Sequence, residues 1–209
     1  MKLKLDLHVH TNRSRDAFTP PEQLASICKD HGLDGLAITD HNVLAMESGG
    51  EPIILPGIEI STRDGHIIGL GVSETIPRGL SADETIRRIR DLNGVSVIPH
   101  PYDLLRSAVK PHLLTTRPDA IEVINSSSFL HSIAWTRARK FAERGNYPMT
   151  AGSDSHIPQT IGRAYTGVEC ESKSTSSILA ALRTGSTVPV GSPIRATERI
   201  RKAFSRKGR

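Results

Sequence analysis

The chain has 209 residues, of which 37% are hydrophobic, 4% aromatic and 23% charged, a profile that excludes wholesale disorder and fibrous or low-complexity architectures. That length suits one domain, or two small ones, and can bury a single large core. The net charge is +5, but Arg195–Arg209 hold seven Lys/Arg and one Glu, which leaves −1 for residues 1–194; the basicity belongs to a tail.

No apolar run reaches the roughly 18–20 residues of a membrane span, and MKLKLDLHVH alternates instead of forming an apolar signal core. A chain with no leader, no membrane contact and a cytoplasmic address is expected. Cys28 and Cys170 are the only cysteines, too few for a disulfide framework or a thiolate zinc site.

In chain order, Leu3–His10 alternates like a strand. Thr19, as N-cap, and Pro20-Pro21 open a helix that ends at His31-Gly32. Gly35–His41 reads as a buried parallel strand. Further strands are expected at Ile53–Ile60, His66–Val72, Val95–His100, Ala120–Asn125, Met149–Ser153 and Tyr165–Val168. Helices are expected at Ser81–Leu92, where Ser81 and Glu84 have capping-box spacing, and at His131–Arg144 and Ser174–Arg183. Alternation of strands and helices predicts a mainly parallel sheet. Seven or so strands without a dinucleotide fingerprint favour a closed or nearly closed barrel, with a doubly wound open sheet as the other arrangement. NVLAMESGGEPIILPG, between His41 and Glu59, leaves little room for a full helix.

Polar residues cluster at the ends of the apolar runs: Asp6-Leu-His8-Val-His10, Thr39-Asp40-His41, Gly57-Ile-Glu59-Ile-Ser61, His66 opening GHIIGLG, Ile98-Pro99-His100-Pro101 and Gly152-Ser-Asp154-Ser-His156. In a parallel barrel such strand ends share one mouth. His8 and His10, two apart on a strand, face the same way and can hold one ion; Asp154 and His156 have the same spacing. Each motif alone has a plain structural reading, such as a backbone-bonded histidine or an Asx turn. Together, so many titratable groups at one barrel end would be costly to bury without a cation. Six His and three carboxylates exceed the four ligands of one tetrahedral ion, so two or three metals are expected.

DLHVHT, ITDH, GIEIST, GHIIGL, IPHP and GSDSH, in this order, resemble the PHP (polymerase and histidinol phosphatase) family over roughly residues 3–167. The resemblance implies a distorted (β/α)7 barrel, an α/β fold, over a domain spanning 1–193, with 194–209 a basic helix or tail. It implies up to three divalent ions (Mn, Fe or Zn): His8, His10 and Asp154 on the first, Glu59 bridging first and second, His66 and His100 completing the second, and Asp16, His41 and His156 on the third. Asp6 and Asp40 resemble residues that orient the histidines. Glu122–Ser132 is similar to a segment of bacterial PHP phosphatases, whose Asn125 and Ser126 would line the mouth. His131 there would either reach the site or only neighbour a helix N-cap.

Three divalent ions against Asp16, Glu59 and Asp154 leave the pocket positive, which predicts an anionic substrate. The expected reaction is hydrolysis of a small phosphomonoester or nucleotide by a metal-bridging hydroxide, with Glu59, Asp154 and His156 catalytic and Arg15, Asn125 and Arg163 on the substrate. Alternatives are an oligonucleotide 5′-end exonuclease, a histidinol phosphatase, an amidohydrolase-type hydrolase, and a non-catalytic binding barrel. The basic tail could bring nucleic acid to the mouth, or Ile194, Ile200 and Phe204 could dock it as a helix. Oligomeric state is not readable from the sequence.

Overall fold

The structure, a computed structural model, describes residues 1–45 and 50–207. A single nine-stranded sheet runs β7-β6-β5-β4-β3-β2-β1-β8-β9. Its strands are β1 (Lys2–Val9), β2 (Gly35–Ile38), β3 (Ile53–Thr62), β4 (Gly65–Leu70), β5 (Val95–Ile98), β6 (Ala120–Asn125), β7 (Met149–Gly152), β8 (Ala164–Glu169) and β9 (Thr187–Gly191). The helices are α1 (Leu24–His31), α2 (Ala82–Asp91), α3 (His131–Arg144), α4 (Thr175–Thr184) and α5 (Ala196–Lys207).

The sheet curls until its two sides meet. Beyond β7, the Asp154 amide donates to His8 O at 2.8 Å and the His10 amide to Ser155 O at 3.0 Å, so the loop after β7 lies against β1. The result is an α/β barrel, nearly closed. The expectation of a mainly parallel sheet is corrected: β1-β2, β2-β3, β5-β6 and β6-β7 are parallel, but β3-β4, β4-β5, β1-β8 and β8-β9 are antiparallel. The turn Arg63-Asp64 joins β3 to β4 directly, because no crossover helix is encoded between GIEIST and GHIIGL. β9 went unforeseen, since Pro189 interrupts its short run.

The capping box of α2 forms as its spacing predicts: Ser81 Oγ accepts from Glu84 N at 3.2 Å, and Ser81 N donates to Glu84 Oε2 at 2.9 Å. Thr19 caps nothing. Its hydroxyl is buried without a partner, and Pro21–Gln23 first form a 3-10 turn, so Gln23 precedes α1. Between His41 and β3 no helix is present among the described residues; residues 46–49 lie outside them.

Leu3, Leu5, Leu7, Leu55, Leu70 and Val95 cluster with Ile178, Leu179 and Leu182 of α4. These positions sit mostly in the N-terminal halves of the parallel strands, so α4 plugs that end of the barrel. Each fully buried Leu or Ile contributes about 1.5–3 kcal/mol there. The opposite end is left for polar groups. Ile194 is buried and Ile200 exposed; the side chain of Phe204 lies outside the described part.

Candidate metal centre

Five strands and their loops deliver the histidines. β1 carries His8 and continues to His10, His41 follows β2, His66 opens β4, His100 follows β5, and Asp154 and His156 follow β7. Neighbouring rings pack 4.5–6.2 Å apart, centroid to centroid. Glu59 lies at the centre, 1% exposed. Its Oε1 is 3.1 Å from His66 Nδ1, 3.1 Å from His100 Nε2 and 3.5 Å from His8 Nε2; its Oε2 is 2.9 Å from His41 Nδ1 and 3.4 Å from His10 Nε2. Asp16, on the loop after β1, approaches His156 Nε2 at 3.1 Å and His41 Nε2 at 3.8 Å. All nine side chains named from the sequence as ligands thus converge on one bowl.

Several features fit cations in that bowl. Asp154 Oδ1 is buried with no hydrogen-bond partner, yet His10 Nε2 and His156 Nδ1 stand 3.5 Å from it and His8 Nε2 3.8 Å. His8 Nε2 and His10 Nε2 face each other at 3.2 Å. His8 Nδ1 points to Glu122 Oε1 at 3.0 Å and His10 Nδ1 to Ser14 Oγ at 3.3 Å. Both Nδ1 atoms are engaged away from the bowl, so both Nε2 atoms turn into it, where a cation could take the place of the proton they share. Three-ligand groupings of suitable spacing include His10, His41 and His156; His8, His10 and Glu59; His8, His100 and Asp154; and His41, Glu59 and His66.

The charges follow from burial and neighbours. For His8, burial opposes protonation, but Glu122, Asp154 and Glu59 overcome it and hold the imidazole well above its ordinary value. Burial and the nearby His156 push His10 down to about 3. Burial also opposes ionisation of Glu59 and Asp154; His8 and the bonds from His100, His41 and His66 prevail at Glu59, and Arg106 and His8 at Asp154, so both stay well below the carboxylate range. His100 and Asp154 adopt φ of +35° and +51°, a strained setting for non-glycine residues that costs on the order of 1–3 kcal/mol each. Such strain is kept where the side chain must point one way.

Two participants were not named as site residues from the sequence, although Glu122 heads the Glu122–Ser132 segment. Arg106 Nη1 lies 2.5 Å from Asp154 Oδ2. Glu122 holds His8 Nδ1, accepts from the His100 amide at 2.7 Å and from Asn125 Nδ2 at 2.9 Å. A lone carboxylate inside the apolar run Ala120–Asn125 was the signal for Glu122; Arg106, in an irregular loop, offered none. Asp40 reaches His10 through Ser14, accepting from Ser14 Oγ at 2.7 Å. Asp6 instead ties backbone, accepting from Ser153 N at 2.9 Å and Gly162 N at 2.8 Å, and burial raises it to about 6. Among the proposed substrate contacts, Asn125 sits inside the bowl, 3.3 Å from Asp154 Oδ2, and Arg15 is exposed on the β1 loop. Arg163 donates to Glu198 of α5, which directs it to the terminal helix. His131 packs on Trp135, rings 5.3 Å apart.

Gly152 admits no side chain, because an added Cβ would lie 2.4 Å from His8 Cβ and 2.8 Å from Glu122 Oε1. Gly152→Ala is expected to displace His8 and lower metal affinity about 10–100-fold, the scale seen for disturbed supporting residues. Equilibrium dialysis with Mn²⁺ checks it; unchanged affinity would contradict the packing.

A family model described as the PHP domain matches residues 6–113, and one described as PHP-associated matches 133–187. An uncharacterised protein of Methanocaldococcus jannaschii is 36% identical over 143 residues, 59% of this chain and 82% of that one. A two-domain Bacteroides vulgatus protein containing a predicted PHP-like metal-dependent phosphoesterase superposes with TM-score 0.68 at 18% identity, over 99% of this chain and 70% of that one. A lesion-specific endonuclease from Pyrococcus furiosus gives 0.64 at 17%, over 91% and 59%.

Proposed function

The chain belongs to the PHP family, and on that footing we propose that it is a metal-dependent phosphoesterase that hydrolyses small phosphomonoesters or nucleotides. The observation that carries the reading is the buried, unpartnered Asp154 Oδ1 beside three imidazole nitrogens. His8, His10, Glu59 and Asp154, with His66 and His100, would hold two divalent ions, and Asp16, His41 and His156 a third; His and carboxylate ligands suit Mn, Fe or Zn. When bound, such ions polarise phosphoryl oxygens and make water a nucleophile near neutral pH.

The chain's own groups do the rest. Glu59 stays ionised and draws five imidazoles to one point. Glu122 fixes the His8 ring through Nδ1, leaving Nε2 for the bowl. Arg106 and Arg199 line the same mouth of about 480 Å³ as Asp16, His41, His66 and His156. We take them, in place of Arg163, as the cations nearest a phosphoryl group, because Arg163 turns to Glu198 of α5, whereas Arg106 pairs with Asp154 inside the bowl. Glu122 and Arg106 cancel in charge, so three divalent ions still outweigh Asp16, Glu59 and Asp154, and the mouth selects an anion.

A second reading, an oligonucleotide substrate, draws support from Arg199, which brings the basic α5 to the rim by donating to Ser128 O at 2.8 Å. A panel of histidinol phosphate, mononucleotides, cyclic phosphates and short RNA, assayed as isolated and with added Mn²⁺, tests both. Metal-dependent release of phosphate from the monoesters is expected; preferential cleavage of RNA would favour the second reading. No hydrolysis of any member by metal-loaded protein would overturn both.

A further inference from the structure

The geometry points to a second anion site, for a dianionic phosphate group, at the end of the barrel away from the metal centre. A concavity of about 590 Å³ there is lined by Arg90, Arg117, Arg139 and Arg183. It lies at the start of β7, where Met149 contributes to its wall, whereas the end of β7 leads to Asp154. The two pockets share no lining residue.

None of these four arginines forms an ion pair among the described residues; they are held by neutral acceptors. Arg117 Nη2 donates to Gly145 O and Asn146 O, both at 2.8 Å, and its guanidinium lies 3.8 Å from the centre of the Tyr147 ring. Arg90 Nη2 donates to Arg117 O at 2.9 Å. Arg183 is fixed on Asn93 O and on Gly94 O, the latter at 3.1 Å. Among the described residues Arg139 meets Met149 Sδ, at 4.0 Å. A guanidinium has five N–H donors, so each keeps donors for a ligand, and Arg90, Arg117 and Arg183 have their direction already set.

A plain reading is that Arg117 and Arg183 cap the C-terminal ends of α3 and α2. The charge balance does not stop there. Each helix end carries about half a negative charge, and Asp119, the one carboxylate in the lining, already accepts from Ser96 N at 2.8 Å and Ser96 Oγ at 2.7 Å. Four positive charges against these leave a surplus of about +2. A phosphate monoester or inorganic phosphate, with two charges and oxygens that match the guanidinium fork, balances it. The four arginines are solvent-exposed and line an open concavity of small-molecule size instead of forming the stripe that tracks a nucleic-acid backbone. Pro148 and Val188 supply an apolar wall for an organic body.

The test is calorimetric titration of the metal-loaded full chain with inorganic phosphate, and separately with the non-hydrolysable phenylphosphonate, at pH 8. Arg139→Gln removes a guanidinium with no structural bond, and Arg117→Gln one with several. One molar equivalent of binding is expected to weaken at least tenfold in each variant, with phosphoester turnover unchanged, and to persist in His8→Ala. Tighter binding of phenylphosphonate would support an ester as occupant, and equal binding free phosphate. Binding that is undiminished in Arg139→Gln, or lost entirely in His8→Ala, would overturn the site.

Discussion

Glu59→Gln is expected to lower phosphoester turnover by on the order of 10³-fold or more, with the fold intact. Gln fills the same volume, so the buried apolar packing is spared. What changes is the meeting point of five imidazoles: Glu59 Oε1 serves His8, His66 and His100, and Oε2 serves His10 and His41. An amide there has no charge to hold two cations together, and its NH2 turns donors toward nitrogens that need their lone pairs. Glu59 is held well below the carboxylate range, so it is ionised at any working pH, and no pH between about 5 and 9 should rescue the variant. Parallel measurement of turnover, bound metal and circular dichroism separates loss of the site from loss of fold. Near wild-type turnover would remove Glu59 from the chemistry.

Metal removal should produce the other large effect, and pH sets its sign. In the metal-free chain, His8 titrates well above 6.5 and His41 is raised as well, burial at His41 being outweighed by its bond to Glu59. His8 is therefore protonated near neutrality and His41 holds its proton more firmly than a free imidazole, whereas Glu59 and Asp154 are already ionised and His10, near 3, is already neutral. Loading a divalent ion at pH 7 must expel imidazole protons and none from the carboxylates. Calorimetry in buffers of different ionisation enthalpy should show net proton release, that from His8 foremost, and affinity should rise with pH. Stability moves the opposite way in the chelated protein. A raised histidine stabilises fully below its unfolded value of 6.5 and loses that contribution as pH rises through the folded value. With metal at about 100-fold over its Kd, the loaded chain gains about 2.7 kcal/mol, roughly 5–10 °C in Tm for a domain of this size. Identical melting of loaded and chelated protein across pH 6–9 would refute this linkage.

The meeting of the nine side chains was legible because the motifs that carry the resemblance fix residue type and strand geometry restricts spacing. His8 and His10 face one way on β1 whatever surrounds them, and the strand ends converge because a barrel has one mouth at the C-terminal end of its parallel strands. Sheet direction was less legible. β4 and β8 have the same apolar look as the parallel strands, and only the direct turn at Arg63-Asp64 and the pairing of β8 with β1 reveal the reversal. Arg106 was hidden because an irregular loop has no period to read. Arg163 was misread for a related reason: nearness in sequence to GSDSH did not foretell Glu198, 35 residues later, as its partner. Long-range polar pairing leaves no local trace.

A crystal grown with Mn²⁺ and recorded at an anomalous wavelength tests the central claim most directly. Two or three anomalous peaks are expected inside the bowl formed by His8, His10, Asp16, His41, Glu59, His66, His100, Asp154 and His156, with Asp154 Oδ1 against one of them. An anomalous map without a peak in that bowl, despite Mn²⁺ in the crystal, would contradict the account.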